Sequence, residues 1–261
     1  MKLFYRQYGE GPYLVILHGL YGSSDNWVTI AKNISLHFSV ILPDLRNHGH
    51  SPHSEIHDYE SMSSDLHELA SDLGLRKFFL AGHSMGGKTA MTFAMTWPEM
   101  IEGMVVMDIS PFSDIDRQAK AQNEMNSILK SIVETDILKA GSRAEADRML
   151  AERITSERVR GLILKNLQRD EKKRFSWKLN AVTLINNLDK IVEGLPVQRQ
   201  VAGFPVIFLK GEYSDYIPDS DHQDIFKLFP AAEIKVIKDS GHWLHADNPQ
   251  AVIEELLGLL K

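Results

Sequence analysis

Gly82-His83-Ser84-Met85-Gly86 stands between the apolar run Lys77-Phe78-Phe79-Leu80-Ala81 and a stretch, Met85 to about Thr96, that reads as a helix ending before Pro98. A Gly-x-Ser-x-Gly joining a strand to a helix is the signature of a nucleophile elbow, a turn sharp enough to strain the serine backbone and lift its hydroxyl clear of the sheet. The glycines are a steric requirement, because a Cβ at either position would strike neighbouring backbone. In an ordinary loop the same five residues would carry no such meaning. The strand before them and the helix after them supply it.

Outward from the elbow, buried strands and amphipathic helices alternate. Residues 2–8 read as an edge strand and Tyr13-Leu14-Val15-Ile16-Leu17 as a buried strand ending at His18-Gly19. A helix from about Asn26 to Phe38 precedes the strand Ser39 to Leu45 and the polar loop Arg46-Asn47-His48-Gly49-His50-Ser51. Met62, Leu66, Leu69 and Leu73 recur at helical spacing, and Gly74 caps that helix. Met104-Val105-Val106-Met107 is another buried strand, ending at Asp108. Strands alternating with helices at this spacing predict a mostly parallel sheet covered on both faces.

The alternation then stops. From about Phe112 to Val201 the sequence predicts no strand, only helices near Met125–Leu138, Arg143–Ile154, Arg158–Gln168 and Trp177–Val192. Within this stretch Lys172-Lys173-Arg174, following Asp170 and Glu171, reads as a solvated helix end. The sheet resumes at Pro205-Val206-Ile207-Phe208-Leu209, and Glu233 to Ile237 forms the last strand, ending in Ser240-Gly241-His242-Trp243 before a closing helix from Pro249 to Leu260. The expected organisation is a core domain of residues 1–111 and 202–261, with residues 112–201 inserted as a helical cap.

Composition narrows the functional classes. The 261 residues carry a net charge of −6, which argues against a nucleic-acid partner, and hold no Cys, which removes disulfides, thiolate metal sites and a cysteine nucleophile. No stretch reaches the roughly 18–20 apolar residues of a spanning helix, and the first residues lack the apolar core of a signal peptide, so stable membrane insertion is not expected and the expected compartment is the cytoplasm. No P-loop, dinucleotide fingerprint or metal-ligand spacing is present, so no cofactor is expected.

A neutral serine hydroxyl is a weak nucleophile and needs an imidazole to take its proton and a carboxylate to orient that imidazole. His242 follows a strand and a glycine just before the last helix and is the candidate base. His83, though adjacent to Ser84, points away on so tight a turn; His18, His48 and His50 read as loop anchors or pocket lining. Two carboxylates compete for the third role. Asp108 ends the strand beside the elbow strand, where a partly buried carboxylate is costly unless a partner pairs with it; Asp215 lies in the loop after the strand that resumes the sheet. Lys88 reads as a helix residue anchoring local structure, and Arg46 and Asn47 as loop anchors. Trp243, Met125, Phe175 and Trp177 are equally compatible with lining a pocket or packing a core.

The order Ser84, a later Asp, then His242 resembles that of the α/β hydrolases, and the resemblance covers the whole chain: His18-Gly19, Asp44 to Ser51, Gly82 to Lys88 and Gly241-His242-Trp243. Within that superfamily the chain is most similar to the YbfF-type acyl esterases, whose Arg-Asn-His-Gly-x-Ser and Gly-His-Ser-Met-Gly-Gly-Lys stretches it shares in similar form. The resemblance implies a serine hydrolase that cleaves small-molecule esters or thioesters of short to medium acyl chains, with an oxyanion hole formed by the backbone N–H groups of Leu20 and Met85; His18, after the first buried strand, and Trp243, beside His242, are the candidate substrate-binding residues. The usual Gly-Glu-x-Asp acid motif of the superfamily corresponds to Gly211-Glu212-Tyr213-Ser214. The resemblance therefore implies the earlier Asp108 as acid, supported by Ser214, with Asp215 as the alternative. A lyase or carbon–carbon bond hydrolase on the same scaffold, and a non-catalytic binding protein, are the competing readings.

Overall fold

A computed structural model describes residues 1–195 and 199–260. β1 (Tyr5–Tyr8) and β2 (Tyr13–Leu17) are followed by α1 (Val28–Ile34), β3 (Ser39–Pro43), α2 (Tyr59–Asp72), β4 (Phe78–His83), α3 (Met85–Thr96) and β5 (Ile101–Met107). The chain then leaves the sheet for α4 (Ile115–Glu134), α5 (Arg143–Ala151), α6 (Glu157–Leu164), β6 (Leu167–Arg169), β7 (Phe175–Trp177), α7 (Ala181–Asn186) and α8 (Leu188–Val192). It returns through β8 (Val206–Gly211), α9 (His222–Leu228) and β9 (Ala232–Ile237), and closes with α10 (Leu244–Asp247) and α11 (Pro249–Gly258).

The sheet order is β1-β3-β2-β4-β5-β8-β9, with β1 antiparallel to β3 and the other pairs parallel. Both faces are buried, and the period-2 alternation of a strand divides them. Val15 and Leu17 of β2 and Met104 and Val106 of β5 pack on one face with α2, α3, α9 and the inserted helices. Leu14, Ile16, Val105 and Met107 pack on the other with Trp27, Ile30 and Ile34 at α1 and Val252 and Leu256 of α11. Strands apolar on both faces are what a helix-covered parallel sheet requires. The C-terminal ends of β2, β4, β5, β8 and β9 then deliver His18, Ser84, Asp108, the 212–216 loop and the loop to His242 to one edge, where open α/β sheets place their ligands.

The inserted segment departs from the sequence reading in three places. First, β6 and β7 pair as an antiparallel hairpin, Leu167 opposite Trp177 and Arg169 opposite Phe175. Lys172-Lys173-Arg174 is therefore a turn and not a helix end; Asp170 Oδ1 accepts from the N–H groups of Lys172 and Arg174, both at 2.9 Å. Strands of three residues are too short for period-2 alternation to stand out. Second, Trp177 is strand and the helix begins only at Ala181, where the Asn180 side chain caps it through Thr183 N–H. Third, α4 begins ten residues before Met125, capped by Asp114 accepting from Arg117 N–H. Its first turns, Asp116 to Glu124, are polar helix formers with little apolar periodicity. Residues 196–198 of the expected cap lie outside the described residues. No described helix is long and apolar enough to cross a membrane.

Candidate active site

The elbow is as tight as its sequence requires. Ser84 has φ 52° and ψ −118°, a conformation costly for a non-glycine residue. A Cβ on Gly82 would lie 2.2 Å from the Gly86 carbonyl oxygen, and one on Gly86 would lie 2.6 Å from those of Leu17 and His18. The turn is pinned to its neighbour strand by Ser84 N–H donating to Met107 O at 3.0 Å. The loop after β2 passes directly over it: a Cβ on Gly19 would meet Ser84 Cβ at 3.3 Å.

Asp108 also has positive φ, 52°, and is fully buried. Its carboxylate gathers three donors. Oδ1 accepts from Gly211 N–H at 2.8 Å; Oδ2 accepts from Ser214 Oγ and, at 2.8 Å, from His242 Nδ1. A carboxylate only accepts, so Nδ1 carries the imidazole proton and Nε2 is left with its lone pair. The Tyr216 ring stacks on His242 at 3.9 Å between centroids, and Ser110 N–H donates to Tyr216 O at 3.0 Å, tying the two loops together. Burial pushes the Tyr216 phenol up to about 12, so it stays neutral.

Asp215 borders the same cleft as Ser84 but makes no hydrogen bond to His242. It is exposed and pairs with Lys120 at 2.8 Å, which lowers its carboxyl below the usual range. His83, beside Ser84 in sequence, uses Nε2 to donate to the His242 carbonyl at 2.7 Å; burial holds it neutral, with a pKa well below the ordinary histidine value. It thus holds the His242 loop. His18 is locked between Gly19 O and Leu45 N–H, both at 2.9 Å, and is likewise held neutral by burial.

Ser84 lines a cleft of about 810 Å³, part of it open to solvent, together with Leu20 and Met85. Among the described residues the N–H groups of Leu20 and Met85 donate to no protein acceptor, as expected for a loop and for the first residue of a helix. Apolar walls come from Ile109, Phe112, Met125, Ile191 and Val192; Tyr59, Lys88 and Tyr216 also face the cleft. His18 and Trp243 do not line it. They border a much smaller recess behind the loop after β2, where the Arg158 guanidinium lies 4.7 Å from the Trp243 ring. Phe175 is buried in the inserted segment and meets Arg169 at 4.2 Å. Tyr216 was invisible to sequence reasoning, since nothing local marks a tyrosine as the platform for a distant histidine. Lys88 proves to be both an anchor and a wall residue. Among the described residues no cluster of three or more His, Asp or Glu side chains could hold a metal ion.

A sheet with this strand order and a strained serine after its central strand defines a class, and comparison with known sequences agrees. A sequence profile for the alpha/beta hydrolase fold matches residues 12–249, and the chain belongs to that family. Within it the chain stands among esterases and lipases. It is 38% identical over 252 residues to the mouse sn-1-specific diacylglycerol lipase ABHD11, covering 95% of this chain and 81% of the relative. It is 30% identical to esterase YbfF of Escherichia coli K12, covering 96% and 93%. The solved structure of a marine microorganism esterase superposes with a TM-score of 0.93 at 39% identity, covering 99% of each chain. The protein is a carboxylesterase-type α/β hydrolase.

Proposed function

We propose that the protein hydrolyses carboxylic esters or thioesters of short to medium acyl chains through an acyl-enzyme at Ser84. His242 Nε2 takes the Ser84 proton as Oγ attacks the acyl carbon, and the tetrahedral oxyanion is received by the N–H groups of Leu20 and Met85. Collapse breaks the bond to the alcohol or thiol, which leaves with the proton from His242. Water, deprotonated by the same imidazole, then releases the acid and restores Ser84. Asp108 keeps His242 in the tautomer that makes Nε2 a base, and Ser214 steadies Asp108. Residues 112–201 act as a cap that closes an apolar wall over the acyl chain, while residues 1–111 and 202–261 carry the chemistry.

The single observation that carries this reading is the 2.8 Å contact from His242 Nδ1 to Asp108 Oδ2, with Asp108 following the strand paired to the one that ends at the strained Ser84 elbow. The relatives named as esterases and lipases support the ester class, and the apolar side chains of Phe112, Met125 and Ile191 in the cleft support an acyl chain. The test is turnover of p-nitrophenyl esters of increasing acyl length by wild type and Ser84→Ala side by side. Simple-ester turnover that vanishes with Ser84 supports the proposal and counts against a lyase or carbon–carbon hydrolase. Equal turnover by both proteins refutes it.

A further inference from the structure

Lys88 lies one helical turn after Ser84, its N–H donating to Ser84 O at 3.1 Å, so both residues stand on the same side of α3. Its side chain is 3% exposed yet lines the cleft that Ser84 lines. Nζ donates to the carbonyls of Val192, at 3.5 Å, and Glu193, and an ammonium has three donors. Among the described residues no carboxylate comes within 4.0 Å of Nζ, and its aromatic neighbour is the Tyr59 ring at 5.5 Å.

The other cations of the wall are differently placed. Arg117 is held by Asp114 and Asp221 at 2.7 Å each, and Lys120 by Asp215 at 2.8 Å. Glu124 lies at the exposed rim. Among the described residues Lys88 is thus the cleft cation with no carboxylate partner, at the N-terminal end of α3, where the helix dipole disfavours positive charge. Burial, opposed by Glu193 and reinforced by Arg117, brings it down to about 8, which still leaves it mostly protonated at pH 7. A methionine of similar length would fill the position without that desolvation cost.

We propose that Lys88 Nζ is an anion-recognition site for the substrate, selecting esters whose chain within the cleft ends in a carboxylate. This deepens the reading of Ser84 as nucleophile and rests on it. The bound carboxylate takes the ammonium donor left over by Val192 and Glu193, while the ester carbonyl lies at Ser84.

The test compares monomethyl adipate, pimelate and suberate with methyl hexanoate, heptanoate and octanoate, following methanol release at pH 6.5, 7.5 and 9. At pH 6.5 wild-type kcat/KM is expected to favour each half-ester over its neutral partner by about 10- to 100-fold, the range of a charge-assisted hydrogen bond. The preference shrinks at pH 9 as Lys88 loses its proton, and Lys88→Met removes it at all three values. A merely structural clamp would move neither the ratio nor its pH dependence. The inference is overturned if wild type shows no preference for the half-esters at pH 6.5, if a preference persists undiminished at pH 9, or if Lys88→Met retains it. Should Lys88→Met not fold, the wild-type ratios decide alone. Cleavage of the neutral esters without a charge preference would sink this inference and leave the acyl-enzyme reading intact; cleavage of neither ester would count against that reading itself.

Discussion

Replacing Asp108 by Asn exchanges one buried oxygen for an amide nitrogen at the junction of three hydrogen bonds. Gly211 N–H needs an acceptor at Oδ1, so the amide oxygen stays there and the NH₂ group takes the Oδ2 position, facing Ser214 Oγ and His242 Nδ1. Ser214 can rotate its hydroxyl to accept. The imidazole can satisfy an N–H donor only by moving its proton to Nε2, and it then presents Ser84 with a donor where a base is needed. A wrong tautomer of this kind costs on the order of 10⁴ in kcat, or about 5.5 kcal/mol of transition-state stabilisation. Asp215→Asn removes only an exposed contact with Lys120, of the kind worth about 0–1 kcal/mol, and kcat should change by less than about 5-fold. The assay is steady-state hydrolysis of a p-nitrophenyl ester by both variants, with thermal melts to confirm that each is folded. A folded Asp108→Asn enzyme within about 10-fold of wild type would refute the assignment, as would a large loss from Asp215→Asn.

Ser214→Ala should lower kcat about 10-fold while His242 still holds Asp108, reflecting the loss of one charge-assisted hydrogen bond; an unchanged rate would remove Ser214 from the site. Gly86→Ala should destabilise the protein by about 1–3 kcal/mol or more, seen as a lowered Tm, because its Cβ would meet two carbonyl oxygens at 2.6 Å; a wild-type Tm would contradict the elbow geometry. Acidification should destabilise the fold through histidines buried neutral. His57 and His245, both lowered to about 3 chiefly by burial, stay unprotonated when folded, while the unfolded chain takes up protons below its ordinary value of about 6.5. Stability is therefore fully present above that value and is lost as pH falls from about 6.5 towards 3, each group contributing about 1.4 kcal/mol per pH unit. Thermal melts from pH 7.5 to 4.5 on wild type and on His57→Asn check this, and an acid slope identical in the two proteins would count against the histidine.

Much of the fold is legible in the chain because parallel strands buried on both faces must be short apolar runs, and the runs at Leu14–Leu17, Phe78–Ala81 and Met104–Met107 are of that kind. The elbow is legible because sterics admit no side chain at Gly82 or Gly86. What separates Asp108 from Asp215 is tertiary: two carboxylates, each near a strand end, differ only in which one the loops bury beside His242. The β6–β7 hairpin escaped because three residues carry too little periodicity, and the start of α4 because its first turns are polar and carry little apolar periodicity. Tyr216 stacks on a histidine 26 residues on, and the Lys88 ammonium meets carbonyls more than a hundred residues away; no local pattern encodes either contact.

Intact-mass spectrometry under a slowly deacylating p-nitrophenyl ester, followed by peptide mapping, tests for the acyl-enzyme at Ser84. One acyl group per chain is expected on the peptide bearing Ser84, formed at the rate of the p-nitrophenol burst and absent in Ser84→Ala. Turnover with the adduct on another residue, or ester cleavage that continues undiminished in Ser84→Ala, would contradict it.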